Sequence, residues 1–244
     1  MDRPVAELLE YSWSGVLPKR LLHRLSVMLR PGEHSELMAA LENPGGARRV
    51  AFQALVRLDD PSGLIVGETI LRVDASGRER AAALRYVEEL SAEHTLGLAR
   101  SWIGESDGRG KAARGIFERH AEASDMPMLA RGLAEAWDER DFYALCSFID
   151  ALARLSDLQS AEQIATIYEE AEYSYARRRA ARALIAIDEQ AFVDEHGRSA
   201  LWDCEKDIQD LAVGLLSDHV DEVAARRIGA IEGQRVVGSP TTQP

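Results

Sequence analysis

The side chains of this sequence that are most able to do chemistry are charged, and the first group is cationic. These cations stand at or near the starts of predicted helices: Arg48, Arg49, Arg78, Arg80, Arg109, Lys111, Arg177, Arg178 and Arg179. A cation in the first turn opposes the helix dipole by roughly 0.3–1 kcal/mol, so another interaction must favour it there. One interpretation is salt bridging to acidic turn residues such as Asp74, Asp107 or Asp138. The other is a ridge that binds an acidic partner or phosphates.

The second charged group is acidic and lies between Ala186 and Ala225. This stretch holds eleven acidic residues and two basic ones, so it carries −9 of the formal net charge of −12. Such a run is commonly a solvated face, and it is also typical of a patch that binds a basic protein partner. The candidate partner-binding residues are Arg177, Arg178, Arg179, Glu162, Glu169, Glu170, Asp194, Glu195 and Asp207.

The sequence predicts no catalytic, cofactor-binding or metal-binding residues. The turn GESDGRGKA at 104–112 lacks the first glycine and the hydroxyl residue of a phosphate-binding loop, and a helical pattern precedes it. The six histidines form no pair at helical spacing, and Cys146 and Cys204 form no CxxC motif. A catalytic triad whose members meet only in space stays open.

Composition limits the class of protein further. Hydrophobic residues make up 46% of the chain and aromatic residues 6%, which favours a folded, helical protein. The acidic net charge disfavours nucleic acid as a partner. The sequence has no apolar signal-peptide core and no apolar run near the roughly 20 residues of a membrane span. With two cysteines, it predicts a soluble cytoplasmic protein without membrane contact.

Apolar spacing and turn residues divide the chain into helices. Three short helices are predicted within 1–44, at 5–11, 18–29 and 33–41. The others are predicted at 46–61, 62–72, 78–90, 91–102, 111–120, 126–137, 138–155, 160–171, 174–188, 189–201, 204–216 and 220–231. The β-branched segment 62–72 could also form a strand. The segment 138–155 is predicted to be a longer helix with Asp138 as its N-cap.

Six of these helices share a similar sequence motif. Their central small or apolar residues are Ala51, Ala82, Ala113, Leu145, Ala181 and Ala212, spaced by 31, 31, 32, 36 and 31 residues. A near-constant period of this length indicates a solenoid of helical hairpins. A single hairpin cannot bury its own apolar face, so the hairpins must stack.

Three of these motifs resemble HEAT repeats, and they are most similar to the short bacterial kind. They are RRVAFQALVRLDDP (48–61), RERAAALRYVEEL (78–90) and RRRAARALIAID (177–188). The resemblance covers residues 46–216. It implies an all-α fold, a right-handed α-solenoid of about six to seven stacked helical hairpins. One domain then spans 1–232, with capping helices at 1–44 and 217–232, and 233–244 form a disordered tail.

The resemblance implies an extended concave surface and leaves two functions open. The first is a non-enzymatic scaffold, adaptor or inhibitor that binds another protein with a basic surface, in an oligomeric state that the sequence does not define. The second is an alkylpurine DNA glycosylase, because some of these enzymes are built from HEAT-like repeats. Its candidate residues are Trp137, Asp138, Trp202 and Asp203. The HEAT-like lyases that attach bilins are a third analogy, on fold alone.

Overall fold

A computed structural model describes residues 31–73, 77–216 and 221–238 of the chain. Every regular element in these ranges is a helix, which confirms the predicted all-α class. The helices predicted at 5–11 and 18–29, and Asp74, lie outside the described residues. No helix within the described ranges is both long and apolar enough to cross a lipid bilayer. The chain divides into two compact units, Met1–Ala121 and Glu122–Pro244.

Six α-helices are described in the first unit. They are α1 (Pro31–Glu42), α2 (Gly46–Leu58), α3 (Leu64–Arg72), α4 (Gly77–Glu89), α5 (Ala92–Trp102) and α6 (Gly108–His120). Helix α2 packs on α1 and α4, and α4 packs in turn on α6. Helix α3 packs on α4 and α6, and α5 packs on α6. The longer helices therefore contact one another in chain order, with α3 and α5 packed against them.

The Asp59-Asp60-Pro61 sequence ends α2 and starts the next segment. Asp59 adopts a left-handed backbone conformation with φ of 50°. Asp60 then caps the 3₁₀ turn Pro61–Gly63, because its carboxylate accepts a hydrogen bond from the Ser62 N–H. The segment that follows, for which the sequence also allows a strand, forms helix α3. Its buried residues are spaced at helical intervals, and the β-branched Ile65 is largely exposed.

The buried side chain of Tyr86, in α4, makes two hydrogen bonds that hold this turn. Its side chain is fully buried, and its ring lies 4.9 Å from the Phe52 ring, centroid to centroid. The hydroxyl donates to the Asp60 carbonyl at 2.7 Å and accepts from the Gly63 N–H at 3.0 Å. Burial raises the pKa of Tyr86 well above its ordinary value, which keeps the phenol protonated as a donor.

The second unit contains eight α-helices in its described part. They are α7 (Met126–Asp138), α8 (Phe142–Arg154), α9 (Ala161–Glu170), α10 (Ser174–Ile187), α11 (Glu189–Phe192), α12 (Arg198–Ala200), α13 (Lys206–Leu215) and α14 (Glu222–Gly238). Helix α8 packs on α7 and α10, and α10 packs on α9, α11 and α13. The pattern is the one seen in the first unit, because a central series of helices carries the others.

The predicted long helix at 138–155 is wrong. Asp138 is the last residue of α7, and the N-cap of α8 is Asp141, whose carboxylate accepts from the Ala144 N–H at 3.0 Å. Arg140 breaks the path between the two helices with φ of 55°. Helices α2, α4, α6, α8, α10 and α13 begin at residues 46, 77, 108, 142, 174 and 206. These starts are 31, 31, 34, 32 and 32 residues apart, so the predicted spacing of 36 is an error of register.

Two further boundaries differ from the prediction. The single helix expected at 189–201 is interrupted by a π-helix, Val193–Gly197, between α11 and α12. The helix predicted at 111–120 begins at Gly108 instead, because the Asp107 carboxylate accepts a hydrogen bond from the Arg109 N–H and caps α6. Helix α14 also continues to Gly238, past the end predicted at residue 232.

Gly132 sets the distance between α7 and α8. It is buried, and a Cβ atom at this position would overlap the Phe148 ring of α8. We expect Gly132→Ala to lower the free energy of unfolding by about 1–3 kcal/mol, because the ring must leave a well-packed position. Urea denaturation measures the change.

The matched control is Gly97→Ala at an exposed position inside α5, where a Cβ atom meets nothing within 4 Å. Alanine is favoured over glycine in a helix interior, so this variant should gain about 0.5–1 kcal/mol. Equal effects at the two positions would contradict the proposed contact between Gly132 and Phe148.

Glu88 of α4 makes stability depend on pH. Its carboxyl lies where a Cβ atom at Gly115 of α6 would stand, and desolvation raises its pKa to about 7 from 4.5. The protonated form is favoured in the folded state, so this stabilisation is complete below pH 4.5 and is lost as pH rises through about 7. Glutamine does not ionise, so we expect the free energy of unfolding of Glu88→Gln to fall about 2 kcal/mol less than that of the parent protein over this pH range. The measurement is the free energy of unfolding at a series of pH values.

The exposed Glu42 offers the control for this measurement. Glu42→Gln should leave the pH profile parallel to that of the parent protein, since an exposed carboxylate contributes little. A Glu88→Gln profile that is also parallel to the parent would contradict the assignment.

Candidate functional site

The second unit has a cleft of about 320 Å³ at the junctions between α7 and α8 and between α9 and α10. We call it the acidic–aromatic cleft. Its lining residues are Trp137, Asp138, Arg140, Phe142, Glu170, Ala171 and Glu172. The volume lies at the lower end of the range for small-molecule pockets, about 300–1,000 Å³.

Helix ends position the lining residues. Trp137 and Asp138 end α7, Phe142 begins α8, and Glu170 ends α9. The bend between α7 and α8 is fixed by backbone hydrogen bonds from the Arg140 N–H to Trp137 and from the Asp141 N–H to Ala136. The cleft is therefore built where two helices stop rather than along a helix face.

The charge of the cleft is negative. Three carboxylates, Asp138, Glu170 and Glu172, are opposed by the guanidinium of Arg140. Arg140 and Glu172 approach to 3.8 Å, with side chains 72% and 82% exposed. An ion pair as exposed as this contributes little to stability. A cation entering the cleft would meet unbalanced negative charge beside two aromatic rings, which suits cation–π contact.

A row of aromatic side chains continues from the cleft into α10. The Phe142 ring lies 5.5 Å from the Tyr173 ring, which lies 6.3 Å from Tyr143 and 6.0 Å from Tyr175. Tyr143 is 80% exposed. The guanidinium of Arg178 stacks on Tyr175 at 4.8 Å from the ring centroid. The row joins the cleft to the three arginines that the sequence identified.

Those arginines are engaged in ion pairs within the second unit. Arg177 contacts Asp203 at 3.1 Å, Arg178 contacts Asp207 at 2.7 Å, and Arg179 contacts Asp150. Two of the predicted partner-binding residues, Arg178 and Asp207, thus bind each other.

Two of the earlier cations, Arg48 and Arg109, form similar pairs within the first unit. Arg48 lies 3.6 Å from Glu79, and Arg109 contacts both Glu105 and Asp107 at about 3 Å. For these two cations and for Arg177 to Arg179, the geometry favours the salt-bridge interpretation over a free cationic ridge.

The acidic candidates are exposed on α9 and on the π-helix. Glu162, Glu169 and Glu170 are exposed on α9, and Asp194 and Glu195 are exposed in the π-helix. Glu170 is the member of this set that lines the cleft.

Sequence reasoning missed His196, which joins two of these acids. His196 is 7% exposed and packs against the rings of Tyr168 and Phe192. Its Nδ1 lies 3.5 Å from Glu169 and its Nε2 lies 3.8 Å from Glu195. No hydrogen-bond partner reaches Nε2 among the described residues. The π-helix that buries His196 has no simple periodic signal, so the residue looked isolated.

A second grouping in the first unit also escaped the sequence. His94 Nε2 lies 3.4 Å from Glu93 and 3.8 Å from Asp59, and the three potential ligand atoms lie within 4.8 Å of one another. Asp59 is held there by the Ser91 N–H, a hydrogen bond that lowers the pKa of its carboxyl. Asp59 and Glu93 are exposed, and a mixed set of carboxylates and histidine is one that divalent cations accept.

The four residues considered for a glycosylase fall into two places. Trp137 and Asp138 line the acidic–aromatic cleft. Trp202 is 48% exposed, and Asp203 is paired with Arg177; neither lines the cleft. Asp138 is also not the N-cap that the sequence predicts, because α8 is capped by Asp141.

Comparison of the sequence with family models and with curated proteins finds no match.

The Arg177–Asp203 pair tests how far the arginines serve stability. Both side chains are mostly buried, at 19% and 11% exposed, so removing one partner leaves the other charge desolvated. We expect Arg177→Met to lower the free energy of unfolding by about 1–3 kcal/mol. A double-mutant cycle with Asp203→Asn should give a coupling energy above about 1 kcal/mol.

Arg182→Met is the control, because Arg182 is 57% exposed and lies 3.7 Å from Asp207. Its effect should stay below about 1 kcal/mol. A coupling energy near zero for Arg177 and Asp203 would leave these arginines available as a binding surface.

Proposed function

We propose that this protein is a non-enzymatic protein-binding module, acting as a scaffold, adaptor or inhibitor, whose partner presents a basic surface. The observation that carries the proposal is the acidic–aromatic cleft, where Asp138, Glu170 and Glu172 lie beside Trp137 and Phe142. Aromatic rings with carboxylates are a combination that recognises cationic side chains of a partner.

The proposed scaffold is a HEAT-like, right-handed α-solenoid of about six to seven stacked hairpins. Two findings support it. The central helices begin 31 to 34 residues apart, and in each unit they contact one another in chain order, α2–α4–α6 and α8–α10–α13. Stacking of each central helix on the next one along the chain is characteristic of solenoids.

Charge supports a basic partner over other classes. The predicted cations near the cleft, Arg177 to Arg179, are paired internally, whereas Glu162, Glu169 and Glu170 are exposed on α9. Attraction between opposite charges accelerates encounter and weakens with salt.

Both cysteines, Cys146 and Cys204, are free thiols, and a reducing cytoplasm suits them.

A second candidate, an alkylpurine DNA glycosylase, has one observation in its favour. Trp137 and Asp138 line the same cleft, and an aromatic ring with a carboxylate can hold a cationic alkylated base. The net charge of −12 opposes it, because such an enzyme must approach the phosphate backbone.

Affinity capture tests the proposed function. Immobilised protein incubated with host lysate at low salt should retain a stoichiometric basic protein, released as salt increases. The triple variant Glu169→Gln, Glu170→Gln, Glu172→Gln should lose at least tenfold in affinity for that partner, measured by titration calorimetry, because the local negative charge falls by three.

The charge-matched control is Glu42→Gln with Glu189→Gln and Glu232→Gln, which also removes three negative charges, at exposed residues that do not line the cleft. Its affinity should fall by less than threefold. Failure of the folded protein to retain any basic protein would contradict the proposal. A gel shift with alkylated duplex DNA at about 50 mM salt separates the alternative, since binding there would favour a glycosylase.

A further inference from the structure

We infer that the acidic–aromatic cleft is a pocket for a single guanidinium group, that of an arginine side chain on the protein partner. This inference rests on the proposed function and specifies which chemical group the cleft recognises. Aromatic rings and carboxylates line the cleft together, and this combination restricts the class of ligand more than net charge does.

The first step concerns the carboxylates. Asp138 and Glu170 have no side-chain partner within the described residues, and Glu172 has the weak, exposed contact to Arg140. They come from the end of α7, the end of α9 and the turn after α9. A ligand in the cleft therefore meets acceptors from several directions. A guanidinium offers five N–H donors spread in a plane, whereas an ammonium offers a compact point charge.

The second step concerns the aromatic rings. Trp137 and Phe142 line the cleft beside these acceptors. A guanidinium stacks on aromatic faces and sheds its hydration more easily than an ammonium does. The protein already uses this contact nearby, since the Arg178 and Arg179 guanidinium groups lie 4.8 and 4.9 Å from the Tyr175 ring centroid. The rings thus favour arginine over lysine.

The third step concerns Arg140, the cation that belongs to the cleft itself. Its guanidinium reaches Glu172 at 3.8 Å while remaining 72% exposed, so it competes weakly for the same carboxylates. Its backbone, with φ of 55°, is in the left-handed region that glycine adopts without strain. Arg140→Gly therefore removes the competing charge while keeping the backbone path between α7 and α8.

The test uses the full chain and small probes of defined charge. N-acetyl-arginine methylamide is titrated and followed by NMR chemical shifts, with the neutral citrulline analogue and the lysine analogue in parallel. We expect saturable binding of the arginine probe, at least fivefold weaker binding of the lysine probe, and no saturation with citrulline. Shifted resonances should include the Trp137 indole.

Variants locate the probe. Glu170→Gln and Trp137→Leu should each weaken arginine binding at least fivefold, and Arg140→Gly should strengthen it at least twofold. Glu162→Gln, on the same helix but outside the cleft, is the matched control and should change it by less than twofold. Retained secondary structure by circular dichroism shows that each variant folds.

Several results would overturn the inference. They are equal binding of arginine and citrulline probes, equal binding of arginine and lysine probes, or arginine binding that survives both Glu170→Gln and Trp137→Leu. The proposed function is judged separately by affinity capture. A basic protein that is retained while the arginine probe fails removes the guanidinium pocket and leaves protein binding intact. A bound arginine probe without a captured protein supports the guanidinium pocket and removes the proposed protein binding.

Discussion

Close approach between successive central helices is the constraint on which the rest of this structure depends. These helices bury small side chains, since Ala83, Ala113, Ala180 and Ala181 are fully buried. Because the helices approach closely, the polar groups of the turns must find partners beside them. Tyr86 illustrates this, since its hydroxyl serves a carbonyl and an amide of the turn between α2 and α3. Each unit is thus held by apolar packing that forces its turns into fixed hydrogen-bonded positions.

The same constraint determines which charges are free to meet a partner. Packing brings the arginines at the start of α10 within reach of Asp150, Asp203 and Asp207, so most of that positive charge is neutralised internally. Among the described residues, the carboxylates at the ends of α7 and α9 have no comparable partners. Negative potential therefore collects at helix ends. A carboxylate is poorly placed there for the dipole, which makes an external cation more favourable.

Helical periodicity predicted the class of fold and most of its elements. The motif at 174–188 forms α10 at Ser174–Ile187, and the segment at 62–72, whose sequence allows a helix or a strand, forms α3. The predicted start of α8 is wrong because Asp138 and Asp141 both precede an apolar run, and Asp141 is the residue that caps the helix. The cleft was not predictable, because Trp137 and Glu170 belong to different hairpins. Their proximity depends on how the helix ends are packed, which periodicity does not encode.

The π-helix at Val193–Gly197 has a consequence for how the length of this chain can vary. A π-helical turn contains one residue more than an α-helical turn, so it has the form of a single inserted residue absorbed within a helix. Residues beyond the bulge keep their buried faces, as Ala200 and Leu201 do here. Insertions can therefore accumulate inside helices without changing the turns.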